Sequence, residues 1–355
     1  DVYKRQILGD THFGMRNDSL AFHALYRKFY TETFFPYLEE HGIDHVIQLG
    51  DLFDRRKYIN FHTLSLAREY FFDPLKAKGI VMTTILGNHD IYYKNTLDVN
   101  STSMLLKEYD NIHVIKHPVD VDFGNGAKFD LIPWICEQNE DEIVKFIEKS
   151  KNPYCIGHFE LSGFEMDRGN ICWGGHDASF LENYELVISG HFHHKSKNGN
   201  ILYAGTPGEI TWADYGDERG FHTFDTKTHE IEFIKNPNRI FLKIKYDDEN
   251  LYYDTVTKAD YSKYANKYVK VIVARKENEF LFEQFIDALN KVNPLDVQII
   301  ENFGEDFELL DEELDEAEDT VTIIDKVVDG LEMNLNKDKL KSLMREIYTE
   351  ALATE

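Results

Sequence analysis

No apolar run in the 355 residues approaches the ~18 residues a membrane-spanning helix needs. No membrane partner is therefore expected. No secretory leader pattern opens the chain, and its polar head, residues 1–6, is assigned no function. Cysteine is scarce. Cys136, Cys155 and Cys172 form no C-x-x-C pair, so the reading is reduced thiols in or near the core and a cytoplasmic protein. Positive charge is in deficit as well: 39 Lys and Arg stand against 64 Asp and Glu, a net charge of -25. That argues against nucleic-acid binding by bulk electrostatics. The deficit is uneven, however. Residues 301–320 hold eleven acids and no base, and a bound cation pair would change the field locally.

The length leaves room for two or three domains. The first 90 residues read β-α-β-α-β. One helix is capped by Asp18 and runs to about Glu40, with Gly42 as its stop and Pro36 kinking or shortening it. A second is capped by Asn60 and ends near Gly79. Strands follow at 113–123 and 128–135, then a helix over 139–149. Residues 201–204, 220–224 and 230–234 read as a late β-meander. Pro237-Asn238-Arg239 marks a boundary. Beyond it, strands at 240–246, 268–274 and 297–300 and a helix over 279–292 make a small α/β module. Two amphipathic helices close the chain, the last with Leu340, Leu343, Met344, Ile347, Tyr348, Ala351 and Leu352 on one stripe. The division expected is 1–237, 238–300 and 301–355.

One pattern recurs five times. An apolar strand runs into glycine and then into a residue able to ligate metal: Gly9-Asp10, Gly50-Asp51, Gly87-Asn88, Gly157-His158 and Gly190-His191. Glycine at a strand end is common, and a lone histidine is more often a satisfied core or surface residue than a ligand. Five such ends bearing Asp, Asp, Asn, His and His point to one convergent site outside the carboxyl ends of a sheet. If the backbone stays extended there, Asp10 with His12, and His191 with His193, share a face. Mixed imidazole and carboxylate donors suit divalent transition metals, and seven donors suit two ions. Two ions ~3.5–4 Å apart can clamp an in-line displacement at phosphorus. Asp51 is the natural bridge. One ion would take Asp10, His12 and His193, and the other Asn88, His158 and His191. His89 follows Asn88, points differently, and is free to stabilise the transition state or protonate the leaving group. Asp54 and Asp90 would support the ligands from behind. Arg55, Arg56 and Lys57 follow the site and could meet phosphates, although an ion pair within the chain serves Arg55 equally well. His194 alternates away. Trp173 and Phe164 could stack on an unpaired base, but anchoring their loop is the plainer role.

GDTH, GDLFDR, GNHD, GH and GHFH, in that order over residues 7–235, resemble the calcineurin-like metallophosphoesterase superfamily. The resemblance implies a two-sheet mixed β-sandwich flanked by helices, a dinuclear centre on the residues just named, and a catalytic rather than ligating His89. GDLFDRRKYINFHTL, with a capping module and helical tail after GHFH, is similar to the double-strand-break repair nucleases. These include the SbcD-like exonuclease subunits and the small subunits of the recombination endonucleases of T-even-like phages. That branch implies a Mn²⁺-dependent DNA exonuclease and endonuclease, partnered by an SMC-like ABC-ATPase with a coiled coil and paired as a homodimer through the early helices. The apolar stripe of the tail would dock on that coiled coil. Relatives often have His where Asp54 stands, which leaves an endonuclease-specific role of this position open. A phosphodiesterase or phosphatase on non-DNA substrates, and a DNA-end tether without catalysis, are the rival readings.

Overall fold

The computed structural model describes residues 3–167 and 169–301. The acidic segment and the tail, including Leu340, Leu343, Met344, Ile347 and Tyr348, lie outside the described residues. All described residues but Thr211–Ala213 belong to one compact unit.

Two six-stranded sheets form the centre. The first contains β1 (Lys4–Leu8), β2 (His45–Gln48), β3 (Val81–Ile85) and β4 (Ile112–Ile115), all parallel. The second contains β5 (Val119–Asp122), β6 (Lys128–Ile132) and β7 (Tyr154–His158). A short hairpin, β8 (Glu165–Asp167) and β9 (Asn170–Ile171), stands apart from both sheets. The second sheet resumes with β10 (Leu186–Gly190), β11 (Ser196–Asn198) and β12 (Ile201–Tyr203). β13 (Gly220–Asp225) and β14 (Ile231–Lys235) return antiparallel to the first sheet beside β1. The expected late meander is thus divided: β12 pairs with β10, while β13 and β14 pair in the other sheet. Residues 113–123 likewise form two strands, one in each sheet, with Pro118 between them.

The sheets pack face to face. Ile7, Ile47 and Ile85 from one meet Phe129, Leu131, Ile156 and Ile188 from the other in a single cluster. The alternate residues Cys155 and Val187 point to the opposite face and pack with Ile143 and Ile147 of the helix Glu140–Lys149. Both faces of β7 and β10 are therefore buried, which is why these strands read as continuous apolar runs. All three cysteines are buried and free. Lys4, Arg5 and Gln6 of the polar head belong to β1: Arg5 donates to the Phe123 carbonyl and Gln6 to that of His222.

Both long helices of the first half run unbroken through a proline. Each widens to a π turn just before it, at Tyr30–Phe34 ahead of Pro36 and at Arg68–Phe72 ahead of Pro74. There the backbone bonds to the fifth residue back, which makes room for a ring that would clash in an α-helix. Pro36 is therefore absorbed without ending the helix. Asn60 caps the second helix as expected, accepting from His62 N. Asp18 caps nothing. Arg16, Asn17 and Asp18 have φ of 53, 61 and 59°, a left-handed turn costing about 1–2 kcal/mol per residue. Asp18 is held there by Thr63 Oγ1 (2.6 Å) and Arg55 (3.3 Å); Ser19 precedes the helix instead.

After residue 237, β15 (Phe241–Asp247), β16 (Tyr268–Arg275) and β17 (Asp296–Glu301) form a parallel sheet. The helix Glu279–Asn290 covers it, joined by Tyr253–Lys258, a short helix the sequence pattern did not announce. Glu209, fully buried, anchors the start of this module. It pairs with Arg239 and accepts from the backbone N–H groups of Ile240 (2.7 Å) and Phe241 (3.1 Å). Glu209→Ala orphans two N–H donors and one guanidinium together, so unfolding should become easier by about 3 kcal/mol. Urea denaturation followed by circular dichroism checks this; a loss below 1 kcal/mol (roughly one ordinary hydrogen bond) would contradict the anchoring role.

Candidate metal centre

Each candidate ligand follows or closes the carboxyl end of a central strand: Asp10 and His12 after β1, Asp51 after β2, Asn88 after β3, His158 closing β7, His191 and His193 after β10. The sheets face one another, so five strand ends open on one place. Asp10, His12 and His193 offer donor atoms within 4.8 Å of one another; so do Asp51, His158 and His191, and so do His12, Asp51 and His89. The seven expected donors are thus together, with Asn88 Oδ1 2.9 Å from both His158 Nε2 and His191 Nδ1.

Alternation along extended strands does not produce this convergence. His12, Asp51 and His191 have φ of 43, 52 and 86°, so the chain turns left-handed at three of the site residues, a strain of the kind stored at functional positions. Gly50, at φ 95°, starts the turn before Asp51. A Cβ at Gly190 would sit 2.5 Å from Asp10 Oδ1 and 2.7 Å from the Leu49 carbonyl, so the loops touch where side chains would stand.

The loops hold one another. The Asp51 carbonyl accepts from Thr11 and His12 N–H (3.2 and 3.0 Å). Asp90, fully buried, accepts from Asp51 and Gly87 N–H (both 2.8 Å) and from Leu52 N–H (3.1 Å), tying two loops at once. His191 N–H donates to Asp10 Oδ2 (2.9 Å), and His158 Nδ1 donates to the Leu49 carbonyl (2.7 Å). His89 is placed twice: its N–H donates to Asp51 Oδ1 (2.7 Å), and its Nδ1 bonds the Asp54 carbonyl. Asp54 also lies 3.6 Å from His12 Nδ1.

This donor set fits cations. Asp10 Oδ1 and His12 Nδ1 are buried without a hydrogen-bond partner. The Nε2 atoms of His12 and His193 face each other at 2.9 Å. Burial pushes Asp10 up, and burial pushes His12 down, His191 to about 3 and His193 to about 4. Burial would also raise Asp51, but His158, His12 and His89 hold it below the usual carboxylate range. His158 departs the other way. Burial opposes its charge, yet Asp51 and Asp10 outweigh that and lift it to about 9. A cluster that keeps three imidazoles neutral and favours positive charge in its middle is suited to divalent ions.

Two supporting groups carried no signal in the sequence. Trp134 lies with its ring 5.8 and 5.2 Å from those of His158 and His191. Arg219, buried, donates to the His193 carbonyl, to Thr206 Oγ1 (2.7 Å) and to Asp214 (2.6 Å). An arginine in a polar loop 26 positions after its target looks like any surface base. Of the basic run, Arg55 is engaged within the chain by Asp18, Tyr58 and Asn17. Arg56 is half-buried beside Asn88 and Lys57 is exposed. His194 pairs with Asp217 (2.8 Å). Phe164 is core, and Trp173 is 80 % exposed.

The calcineurin-like phosphoesterase profile matches residues 6–195. Exonuclease subunit 1 of Enterobacteria phage T4 is 34% identical over 346 residues, 97% of this chain and 98% of that protein. Among solved structures, an archaeal phosphodiesterase is similar at 14% identity, over 66% of this chain and 99% of its own, with a TM-score of 0.34. A nuclease of Pseudomonas putida, MPE, is similar at 16% identity, over 64% and 87%, with a TM-score of 0.30. A profile running from the first core strand past the last pair of site histidines, with a relative aligned almost end to end, makes this chain a member of the calcineurin-like phosphoesterase family and hence a metal-dependent phosphodiesterase.

Proposed function

We propose that the chain is the nuclease subunit of a DNA end-processing and recombination complex, an exonuclease and endonuclease that cleaves phosphodiester bonds with two divalent cations, Mn²⁺ in preference. One observation carries this reading: two largely buried donor triads, Asp10, His12 and His193 in one and Asp51, His158 and His191 in the other, with Asp51 also grouped with His12 of the first. Asp10, His12 and His193 would hold one ion and Asn88, His158 and His191 the other, and Asp51 would be shared between them. Bound there, the ions would neutralise the phosphodiester and lower the pKa of water at the site.

The chain's own residues do the rest. His89 stands at the edge of the cluster, half-buried. With Nδ1 committed to the Asp54 carbonyl, its Nε2 is left to hold or give a proton at the leaving oxygen. Trp134 walls the Asn88 side and excludes water there. Asp90 and Arg219 fix the loops that carry the donors, and Asp54 fixes His89. Lys57 and Arg56 give the mouth local positive charge in an acidic chain.

DNA as substrate and an ATPase as partner rest on the nuclease-subunit relative and on the apolar stripe of residues 340–352. The partner proposed is an SMC-like ABC-ATPase whose coiled coil takes that stripe. Self-association through the early helices fits Leu20 and Phe61, 62 and 89 % exposed on those helices.

Asp51→Asn should lose both ions and at least about 10³-fold in kcat/KM together, read by elemental analysis and by decay of linear DNA. His89→Ala should keep both ions and lose about 10²–10⁴-fold in turnover; normal cutting by this variant would remove His89 from the chemistry. Wild-type protein with Mn²⁺ should degrade linear DNA faster than a small phosphodiester. The reverse preference would favour a phosphodiesterase on small substrates, and retention of DNA without cleavage a tether. Deleting residues 334–355 should leave ion binding intact and abolish co-elution with the ATPase on gel filtration.

A further inference from the structure

Arg56 stands out in a chain so rich in carboxylates. It forms no ion pair among the described residues, although Arg55 beside it has three partners. It is half-buried, and its Nη2 lies 3.2 Å from one atom of the Asn88 amide.

That amide has two orientations, and only the one with its oxygen outward gives the oxygen a donor and the nitrogen acceptors among the described residues. With oxygen outward it accepts from Arg56, while its nitrogen faces Asp51 Oδ2 (3.3 Å) and both His158 Nε2 and His191 Nδ1 (2.9 Å each). With oxygen inward, Oδ1 stands 2.9 Å from His158 Nε2 and His191 Nδ1. Ligation of a cation requires the inward oxygen. That orientation turns the amide N–H groups onto Arg56, and two donors then oppose each other 3.2 Å apart. An anionic oxygen between them would accept from both and relieve the clash, with a charge-assisted bond from the guanidinium.

We propose that Arg56 couples the two binding events: it competes with the cation for the Asn88 oxygen and, once the cation is bound, joins the Asn88 amide in gripping a phosphate oxygen. Arg56 is thus a specificity-determining residue that makes phosphate recognition conditional on an occupied metal site. This deepens, and rests on, the assignment of Asn88 as a ligand.

The test uses the full chain as wild type, Arg56→Ala and Arg56→Lys, each also carrying His89→Ala so that DNA survives. Mn²⁺ binding is followed by electron paramagnetic resonance, and binding of a fluorescent oligonucleotide by anisotropy with and without Mn²⁺. In Arg56→Ala the weaker-bound Mn²⁺ should bind several-fold tighter, because its competitor is gone, and the gain in DNA affinity on adding Mn²⁺ should shrink about tenfold. DNA affinity without Mn²⁺ should hardly change. Arg56→Lys keeps the charge without the fork and should fall between. Unchanged or weaker Mn²⁺ binding in Arg56→Ala, or equal loss of DNA affinity with and without Mn²⁺, overturns the coupling while leaving the two-cation reading intact. Failure of the parent protein to bind two ions overturns both.

Discussion

The molecule is organised around an electrostatic debt. Asp10, His12, Asp51, Asn88 and His158 are all buried, and their lone pairs point at one another. Burying acceptors without donors costs free energy for each group, and adjacent buried carboxylates cost more. Positive charge in the middle reverses the sign. His158, lifted to about 9 between Asp10 and Asp51, shows the same demand in its proton. The rest of the fold serves to keep this cluster from relaxing apart.

It does so with backbone geometry more than with packing. Three left-handed site residues and the close approach at Gly190 are held by hydrogen bonds from neighbouring loops. Asp90 alone gathers three N–H groups from two loops. Behind them, the sandwich core fixes the strand ends. A rigid frame with strained loops at its rim is how sites on α/β sheets hold donors that would otherwise separate.

Much of this could be read from residue order. Apolar runs ending in glycine marked the central strands, and both faces of those strands prove buried. Asn60 declared its helix. Other features misled. Asp18 looks like a helix cap but closes a left-handed turn, because Arg55 and Thr63, some 40 positions away, compensate it. Pro36 looks like a kink or an early stop but is absorbed by a π turn just before it. The late strands look like one meander, yet β12 belongs to one sheet and β13 to the other; local alternation says nothing of which sheet a strand joins. Arg219 and Trp134 could not be singled out, since their partners are distant in sequence.

By itself the sequence determined the chemistry: which donors are present, that they follow strands, and that their number suits two ions. Residue types and their order encode this directly, because side-chain chemistry and glycine's tolerance are properties of single positions. Only the tertiary structure decided how they meet. The meeting depends on left-handed turns, on the facing of two sheets, and on carbonyls and carboxylates lent from remote loops. These are relations between distant segments, and no local pattern carries them.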